Sequence, residues 1–348
     1  MPLSTINNPL PLAVSLGEPA GIGPEVILKS WTERTSQDLP PFFVVGNAEI
    51  LRKTARQSGL NIPVESISSA NESHRIFQDA LPVLNIEAKV DFDFGQPSTN
   101  TADLVLKSIE KAVALSLAGE AAGLVTAPIQ KSVLYAAGFT CPGHTEYLAE
   151  LCAGKDTAPT MPVMMLVSPA LRVVPLTIHM ALRDVAPSIT TALIEKTCQK
   201  IHASLIQDFA IETPRIAVAG LNPHAGEDGT MGQEEQHIII PALERLRDQG
   251  MTILGPLSAD TMFHQAARAT YDAALCMYHD QALIPIKTLD FDGGVNVTVG
   301  LPLVRTSPDH GTALNIAGQN KASANSMINA LKMARQISLN RQKETAHV

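Results

Sequence analysis

Cysteine is scarce in this chain. Its 348 residues include four cysteines, and no two of them form a C-x-x-C pair. That number and spacing exclude a disulfide scaffold and argue against a zinc or redox motif built on paired cysteines. The four are Cys141, Cys152, Cys198 and Cys276. We expect all of them to be reduced thiols.

Positive charge and long apolar runs are lacking too. Lysine and arginine number 26 against 34 acidic residues, which gives a net charge of −8. A nucleic-acid binder would instead need a clustered basic face. No run approaches the roughly 18 apolar residues of a membrane helix, and no basic residues precede the first apolar stretch as in a secretory signal. We therefore expect a cytoplasmic protein with no nucleic-acid or membrane partner.

Apolar residues make up 45% of the chain and follow an alternating plan. Short apolar runs alternate with amphipathic stretches of helical period, which predicts an α/β fold with a parallel sheet. The predicted strands are 12–16, 42–45, 81–86, 216–219 and 273–277. The predicted helices are 24–34, 101–118, 189–209, 236–249 and 324–339. The nearly continuous apolar stretch 162–179, broken at Ser168-Pro169, predicts two antiparallel strands, an arm or hairpin that could mediate dimerisation. The length favours two domains.

Three histidines each close a predicted apolar strand. His179 ends VVPLTIH, His224 ends IAVAGLNPH and His279 ends AALCMYH. Carboxyl ends of parallel strands meet at one edge of a sheet, and three imidazoles with an open position are a common ligand set for a catalytic metal. Each histidine taken alone is more often a hydrogen-bonded loop or core residue, but three in matching contexts favour a shared site more than any one of them does. Asp280 follows His279 directly and could orient an imidazole or relay a proton.

Two loops of small residues are candidates for binding an anion or a nucleotide. Residues 17–25 follow a predicted strand and open a helix, where backbone N–H groups can bind an anion. A tight turn that needs small residues explains them equally well. Residues 309–318 precede the last helix and could let a flat adenine approach the backbone, although turn formation alone also accounts for them.

A few basic and polar residues could bind a phosphorylated substrate. Lys287, Asn296 and Arg305 lie around an apolar run, and arginine forms forked contacts to phosphate or carboxylate. Such residues are more often solvated surface groups. His144 and Thr145 stand at a predicted helix start, which is a second natural anion site unless Thr145 only caps the helix.

Six motifs in order resemble one family. They are GEPAGIGPE, TAPIQK, PGHTEYLA, GLNPHAGEDGTMGQEE, MYHDQALIPIK and GVNVTVGLPLVRTSPDHGTA. Together they resemble the 4-hydroxythreonine-4-phosphate dehydrogenase family, from Gly17 to about Gly318, with residues 51–94 the least distinctive part. Cys141 stands where the family pattern leads us to expect a bulkier side chain, which bears on the pocket wall beside His144.

The resemblance implies a fold of the isocitrate/isopropylmalate dehydrogenase type, with two α/β/α lobes and a cleft between them. By this analogy residues 1–135 and 300–348 form the first lobe. Residues 136–299 form the second, which carries dimer contacts and most metal and substrate ligands. This fold also explains the missing G-x-G-x-x-G.

The resemblance further implies a homodimer with active sites at the subunit interface. A divalent metal (Zn, Co, Mg or Mn) would be bound by His179, His224 and His279 drawn from both chains. The implied substrate contacts are His144, Thr145, Lys287, Asn296 and Arg305. The loop 309–318 resembles the superfamily's NAD or NADP loop, and the implied cofactor contacts are His310, Gly311, Thr312, Ala313, Ile316 and Gly318.

The implied reaction is oxidation of 4-phosphooxy-L-threonine by NAD(P)+, followed by loss of CO2 to give 3-amino-2-oxopropyl phosphate. A nearby base must accept the hydroxyl proton; Lys287 and Asp280 are both candidates, and the sequence does not choose between them. Three alternatives stay open: a metal-dependent hydrolase or aldolase, a non-catalytic metabolite-binding domain, and a related dehydrogenase of another phosphorylated four-carbon acid such as a threonate phosphate. A hydrolase would have no need of a cofactor loop.

Overall fold

The computed structural model describes residues 9–88, 91–141, 143–153 and 160–346, with the backbone alone for 344–346. These residues form two units. The first is made from the described part of Met1–Thr160 and from Leu301–Ser338, and the second from Met161–Gly300 and the described part of Leu339–Val348.

The first unit contains six parallel strands. They are β1 (Leu12–Ser15), β2 (Phe42–Gly46), β3 (Val64–Ile67), β4 (Leu81–Asn85), β5 (Leu124–Thr126) and β12 (Arg305–Pro308), in the order β3-β4-β2-β1-β5-β12. Its helices are α1 (Gly23–Thr32), α2 (Ala48–Gln57), α3 (Ser73–Ile76), α4 (Ala102–Leu117), α5 (Lys131–Ala136), α6 (His144–Cys152) and most of α12 (Asn325–Ala346). The central strands are buried on both faces, as a parallel sheet covered by helices requires.

The second unit also contains six strands. They are β6 (Val163–Ser168), β7 (Leu171–Thr177), β8 (Arg215–Ala219), β9 (Thr252–Leu257), β10 (Ala273–Tyr278) and β11 (Val295–Val299), in the order β11-β6-β7-β10-β8-β9. Strands β7, β10, β8 and β9 run parallel, whereas β6 is antiparallel to both of its neighbours. Its helices are α7 (Val185–Ser188), α8 (Thr191–Gln207), α9 (Ile240–Asp248), α10 (Gln265–Arg268) and α11 (His279–Leu289).

All five predicted strands are confirmed, and the predicted helices differ from the structure chiefly at their ends. The helix predicted over 236–249 begins as a π-helical turn, Glu235–Ile239, before α9. Pro241 lies at the start of α9, and its missing N–H makes a regular helical bond there impossible.

The predicted antiparallel pair within 162–179 is confirmed as β6 and β7, but its expected role as an arm is wrong. Strand β6 lies between β11 and β7, and β7 lies between β6 and β10. Both strands therefore have sheet partners on each side and are interior strands of the second unit.

The units depart from the expected lobes at two places. The first unit extends to Thr160 instead of residue 135, because Leu148 and Ala149 of α6 are buried in the same apolar cluster as Ile109 of α4. The last residues of α12 belong to the second unit. There the side chains of Asn340 and Arg341 donate hydrogen bonds to Asp208, at 2.7 and 2.6 Å.

Candidate active site

Three neighbouring parallel strands of the second unit end beside the predicted metal ligands. Strand β10 lies between β7 and β8. His179 follows β7 after one intervening residue, His279 follows β10 directly, and His224 lies in the turn Pro223–Gly229 that follows β8. The predicted position of each histidine after an apolar strand is confirmed, so all three lie at the same edge of this sheet.

His179 and His279 are side by side. Their ring centroids are 5.8 Å apart, and both rings line a depression of about 370 Å³. Met180, Leu182 and Tyr278 line the same depression. His179 has a φ of 47°, a left-handed conformation that few residues other than glycine adopt. The polypeptide is thus held in an uncommon conformation at the point where the first imidazole is presented.

Asp280 contacts the ring of His279. Its Oδ1 lies 2.7 Å from His279 Nδ1. In the tautomer in which Nδ1 carries the proton, this nitrogen donates to the carboxylate and Nε2 keeps a lone pair for a metal. Of the two roles considered for Asp280, this contact supports the orientation of an imidazole.

His224 is exposed and stands in a strained turn. Five consecutive residues, from His224 to Asp228, have φ between 40° and 81°. A left-handed conformation costs a non-glycine residue about 1–2 kcal/mol. Among the described residues, no three His, Cys, Asp or Glu side chains are grouped so that they could hold a metal. One chain therefore brings His179 and His279 together but does not complete the predicted trio.

Lys287 and Asn296 also belong to the second unit. Lys287 is on α11, two helical turns after Asp280, and its Nζ lies 5.5 Å from the ring centroid of Phe291. Asn296 is on β11, and its buried Oδ1 has no hydrogen-bond partner among the described residues. A buried acceptor left without a donor costs about 1–3 kcal/mol. Such an atom is typical of a position that a ligand completes.

The first unit contains a buried cationic pocket. Arg305 on β12 is 4% exposed, and its Nη2 donates a hydrogen bond to Thr126 Oγ1 at 2.6 Å. Burial lowers the pKa of its guanidinium to about 10, so the group stays cationic at neutral pH. A buried cation of this kind is a strong site for phosphate or carboxylate.

His144 is part of the same pocket. Burial lowers the pKa of its ring well below the ordinary value of 6.5, and the positive charges of Arg305 and Lys131 lower it further. Its Nε2 is buried and has no hydrogen-bond partner within the described ranges. His144 is therefore a neutral ring with an unused polar atom beside two cations.

The alternative that Thr145 only caps helix α6 is wrong. The N-cap is Gly143, whereas His144 and Thr145 are the first two residues of the helix. Their backbone N–H groups consequently belong to the first turn, which favours an anion. Pro142 of the motif PGHTEYLA lies outside the described residues.

The two small-residue loops contact each other. The N–H of Ile22 donates to the carbonyl of Thr312 at 3.0 Å, and a Cβ placed on Gly21 would lie 2.9 Å from the same oxygen. Gly17 has a φ of +72° with the carbonyl of Pro128 against it. Close packing thus accounts for the glycines of residues 17–25, as the turn interpretation expected.

The predicted cofactor residues form a single loop of the first unit. Ala313 has a φ of 41°, and Gly318 packs against the ring of Phe94. The Nδ1 of His310 lies 3.1 Å from the carbonyl of Gly311. The other ring nitrogen of His310, Nε2, is buried and lacks a hydrogen-bond partner in the part of the chain that the structure describes. The loop therefore offers one unused polar atom to a ligand.

Three residues near these groups were not predicted. Lys131 lies near His144 and lowers the pKa of its ring. Glu235 accepts a hydrogen bond from the N–H of Asn222, just before the turn of His224. A hydrogen bond from Ser258 and, more weakly, the proximity of His224 lower the pKa of Asp260. Lys131 and Glu235 do lie within the quoted motifs TAPIQK and GLNPHAGEDGTMGQEE. The family motifs marked these two segments of the sequence, but the spacing of residues within them gave no reason to single out Lys131 or Glu235 as functional.

Candidate ligands that follow parallel strands, together with a buried cation, are typical of α/β enzymes that act on small anionic molecules. Residues 38–334 match the sequence profile of the family described as "Pyridoxal phosphate biosynthetic protein PdxA". The chain belongs to the PdxA family. The expected family and α/β fold are thereby confirmed.

Relatives and solved structures agree with that membership. A 4-hydroxythreonine-4-phosphate dehydrogenase from Bradyrhizobium diazoefficiens is 52% identical over 332 residues, covering 93% of this chain and 96% of that protein. One from Zymomonas mobilis is 50% identical, covering 95% and 97%. The crystal structure of one from Klebsiella pneumoniae has a TM-score of 0.83 and 37% identity, covering 95% and 100%. The protein is an enzyme of the dehydrogenase type, and the hydrolase alternative gains no support.

No helix in the described part of the chain is both long and apolar enough to cross a membrane.

Proposed function

We propose that this protein oxidises 4-phosphooxy-L-threonine with NAD+ or NADP+ in pyridoxal phosphate synthesis. The product, 2-amino-3-oxo-4-phosphooxybutanoate, then loses CO2 to give 3-amino-2-oxopropyl phosphate. The observation that carries this proposal is the pair of adjacent imidazoles, His179 and His279, at strand ends in a chain half identical to proteins named for this activity.

We propose His179, His224 and His279 as the ligands of one divalent metal. The donor chemistry fits, because imidazole nitrogens bind Zn and Co well and substrate oxygens would complete the site for these metals or for Mg or Mn. Since one chain pairs only two of the rings, ligands drawn from two subunits suit the geometry. A metal bound there lowers the pKa of a substrate hydroxyl and stabilises negative charge on its oxygen.

Asp280 and Lys287 then have different roles. Asp280 orients His279 through their 2.7 Å contact. Lys287 is proposed as the group that accepts the proton of the 3-hydroxyl. A nicotinamide bound nearby would supply the acceptor for the hydride from carbon 3.

Five residues are proposed to contact the substrate. Arg305 binds an anionic group through its buried guanidinium, and neutral His144 gives a hydrogen bond instead of a third positive charge. Thr145 adds donors from the first turn of α6, and Asn296 offers its unused Oδ1 to a substrate N–H or O–H. Lys287 contacts the substrate as well as accepting its proton.

The loop 309–318 holds the dinucleotide. Its left-handed Ala313 and its exposed Gly311 would let a flat adenine approach the backbone, and the buried Nε2 of His310 is an unused polar atom. The residues proposed to contact the cofactor are His310, Gly311, Thr312, Ala313, Ile316 and Gly318.

A second copy of the chain covers the metal end of the second unit. The large apolar side chains that are exposed in that unit lie on α11, after it, beside His179 or after the turn of His224. They are Met180, Leu182, Met231, Ile284, Leu289 and Phe291. Apolar exposure around candidate ligands favours a homodimer that buries both. The four cysteines are free thiols, which is typical of the reducing cytoplasm.

The test follows absorbance of reduced nicotinamide with purified protein, 4-phosphooxy-L-threonine, NAD+ or NADP+, and either a divalent metal or a chelator. We expect metal-dependent reduction that is lost in His279→Ala and kept in His202→Ala, a control on helix α8. If the protein oxidises a threonate phosphate but not 4-phosphooxy-L-threonine, it is a related dehydrogenase that acts on another phosphorylated four-carbon acid. No reduction with either substrate would sink the dehydrogenase proposal.

A further inference from the structure

The turn that carries His224 has an unusual backbone. His224, Ala225, Glu227 and Asp228 all have positive φ although none is glycine, and Gly226 between them has a φ of 81°. One such residue is uncommon, and a run of five is close to a left-handed helical turn, which L-residues disfavour. Strain of this kind persists only where the surroundings fix the backbone.

The group that fixes this backbone is the carboxylate of Glu235. Its Oε1 accepts the backbone N–H groups of Leu221 and Asn222, both at 2.8 Å. Its Oε2 accepts the side-chain N–H of Asn222 at 2.9 Å. Glu235 is 2% exposed, so these bonds lie away from water, where a carboxylate needs such donors. All three bonds go to the two residues just before Pro223-His224.

The carboxylate also fills the inside of the turn. A Cβ on Gly226 would lie 2.6 Å from Glu235 Oε2, and one on Gly220 would lie 3.3 Å from Oε1. A side chain at Gly226 would displace this group, and one at Gly220 would also meet Ala225, whose Cα would lie 2.8 Å away. Glu235 belongs to the π-helical turn before α9, an irregularity that directs its side chain at the loop.

A second contact joins this turn to the helix of His279. Gln281 Nε2 donates to the carbonyl of Gly220 at 2.8 Å, and Gln281 Oε1 accepts the N–H of Met277 at 2.6 Å. The start of the His224 turn is thus bonded to both Glu235 and the end of β10. The position of His224 relative to His279 depends on these bonds.

We infer that Glu235 is a positioning residue for His224: its buried carboxylate holds the left-handed turn that presents this imidazole to the metal. The inference rests on the proposed metal site. Glu235 itself bonds to the turn from within, and it acts on the metal only through His224.

Cobalt binding tests the inference without turnover. The full-length protein, freed of metal, is titrated with Co2+ and followed by the visible absorption of the bound ion. In Glu235→Gln, one acceptor oxygen becomes an NH2 group that faces the donor of Asn222. We expect the Co2+ affinity to fall roughly 10- to 100-fold, the usual effect of losing a group that supports a metal ligand.

A double-mutant cycle separates positioning from general stability. In a His224→Ala background, we expect Glu235→Gln to change the Co2+ affinity by less than about 3-fold, because the ring that it positions is gone. Glu234→Gln is the matched control, since Glu234 accepts a bond from the same Asn222 side chain at 2.8 Å and glutamine keeps an acceptor there. It should bind Co2+ as the unchanged protein does.

Two results would overturn the inference while leaving the metal site intact. They are an unchanged Co2+ affinity in Glu235→Gln, and an equal loss with and without His224. If His224→Ala alone binds Co2+ as tightly as the unchanged protein, the proposed metal site falls, and the inference with it. Thermal unfolding of the metal-free proteins checks folding, and Glu235→Asp, which keeps the charge but shortens the reach, replaces Glu235→Gln if that variant does not fold.

Discussion

The cationic pocket of the first unit and the metal end of the second differ in how complete they are within one chain. Arg305 is 4% exposed and bonded to Thr126, and His144 lies beside it with one unused nitrogen. At the metal end, His179 is exposed, His224 stands in a strained turn, and Leu182 nearby is 71% exposed.

This difference indicates two ways of preparing a site. The pocket is preorganised, because its cation is already out of water and its neighbours are fixed before a ligand arrives. The metal end presents ligands whose surroundings stay open to water in a single chain. Its full coordination is expected to depend on a second subunit, so variants should affect the two regions differently.

The largest effect is expected from Arg305→Met, which removes the buried cation and keeps a side chain of similar length. Losing a buried, hydrogen-bonded charge from a binding site typically costs about 2–5 kcal/mol, so kcat/KM for the phosphorylated substrate should fall about 30- to 4,000-fold. Self-association should not change, because the pocket is complete in one chain.

Initial rates and sedimentation velocity of the same samples measure both expectations. The matched control is Arg75→Met, since Arg75 is exposed on α3 of the same unit. A kcat/KM within about threefold of the unchanged protein would mean that Arg305 does not bind the substrate, since such an effect is worth under 1 kcal/mol.

A smaller effect is expected from Leu182→Glu at the metal end. A carboxylate in a buried apolar contact between subunits should weaken self-association on the order of 10- to 100-fold. Metal affinity should then depend on protein concentration, rising as dimers form. Sedimentation velocity and Co2+ titration at several concentrations measure this.

Leu117→Glu on α4 is the control for the charge, because Leu117 is 46% exposed in the first unit. Equal self-association of Leu182→Glu and the unchanged protein would place the dimer contact elsewhere. If the unchanged protein is a monomer that binds Co2+ tightly, the metal end does not need a second subunit, and the contrast with the cationic pocket is wrong.

The sequence predicted the strand-end histidines because an apolar run with a polar residue after it is a local pattern. It also predicted the antiparallel pair at Ser168-Pro169. The interior position of that pair was not predictable, because pairing of β6 with β11 joins residues more than a hundred positions apart. Glu235 was missed for a different reason, since its partners Leu221 and Asn222 are near it in the sequence. Its role depends on three hydrogen bonds to residues before the His224 turn. The left-handed backbone of that turn cannot be predicted from the spacing of residues in the sequence.

The smallest effect is expected in the pH dependence of stability and concerns His144. Its folded pKa lies well below 6.5 because the ring is buried and because Arg305 and Lys131 oppose its charge. Below about pH 6.5 the unfolded chain gains a proton that the folded chain does not, so the free energy of unfolding falls as the pH is lowered. Above that pH both states are neutral, and the contribution is constant.

The His144→Gln variant should therefore lose less stability than the unchanged protein between pH 7 and pH 5, by at most about 1.4 kcal/mol per pH unit. Urea unfolding at several pH values measures the slope. Lys131→Gln should give an intermediate slope, because removing one nearby cation raises the pKa of His144 part of the way. Identical slopes in all three proteins would show that folded His144 takes up its proton over the same pH range as the unfolded chain, and the pocket would then hold three positive charges at pH 5 instead of two.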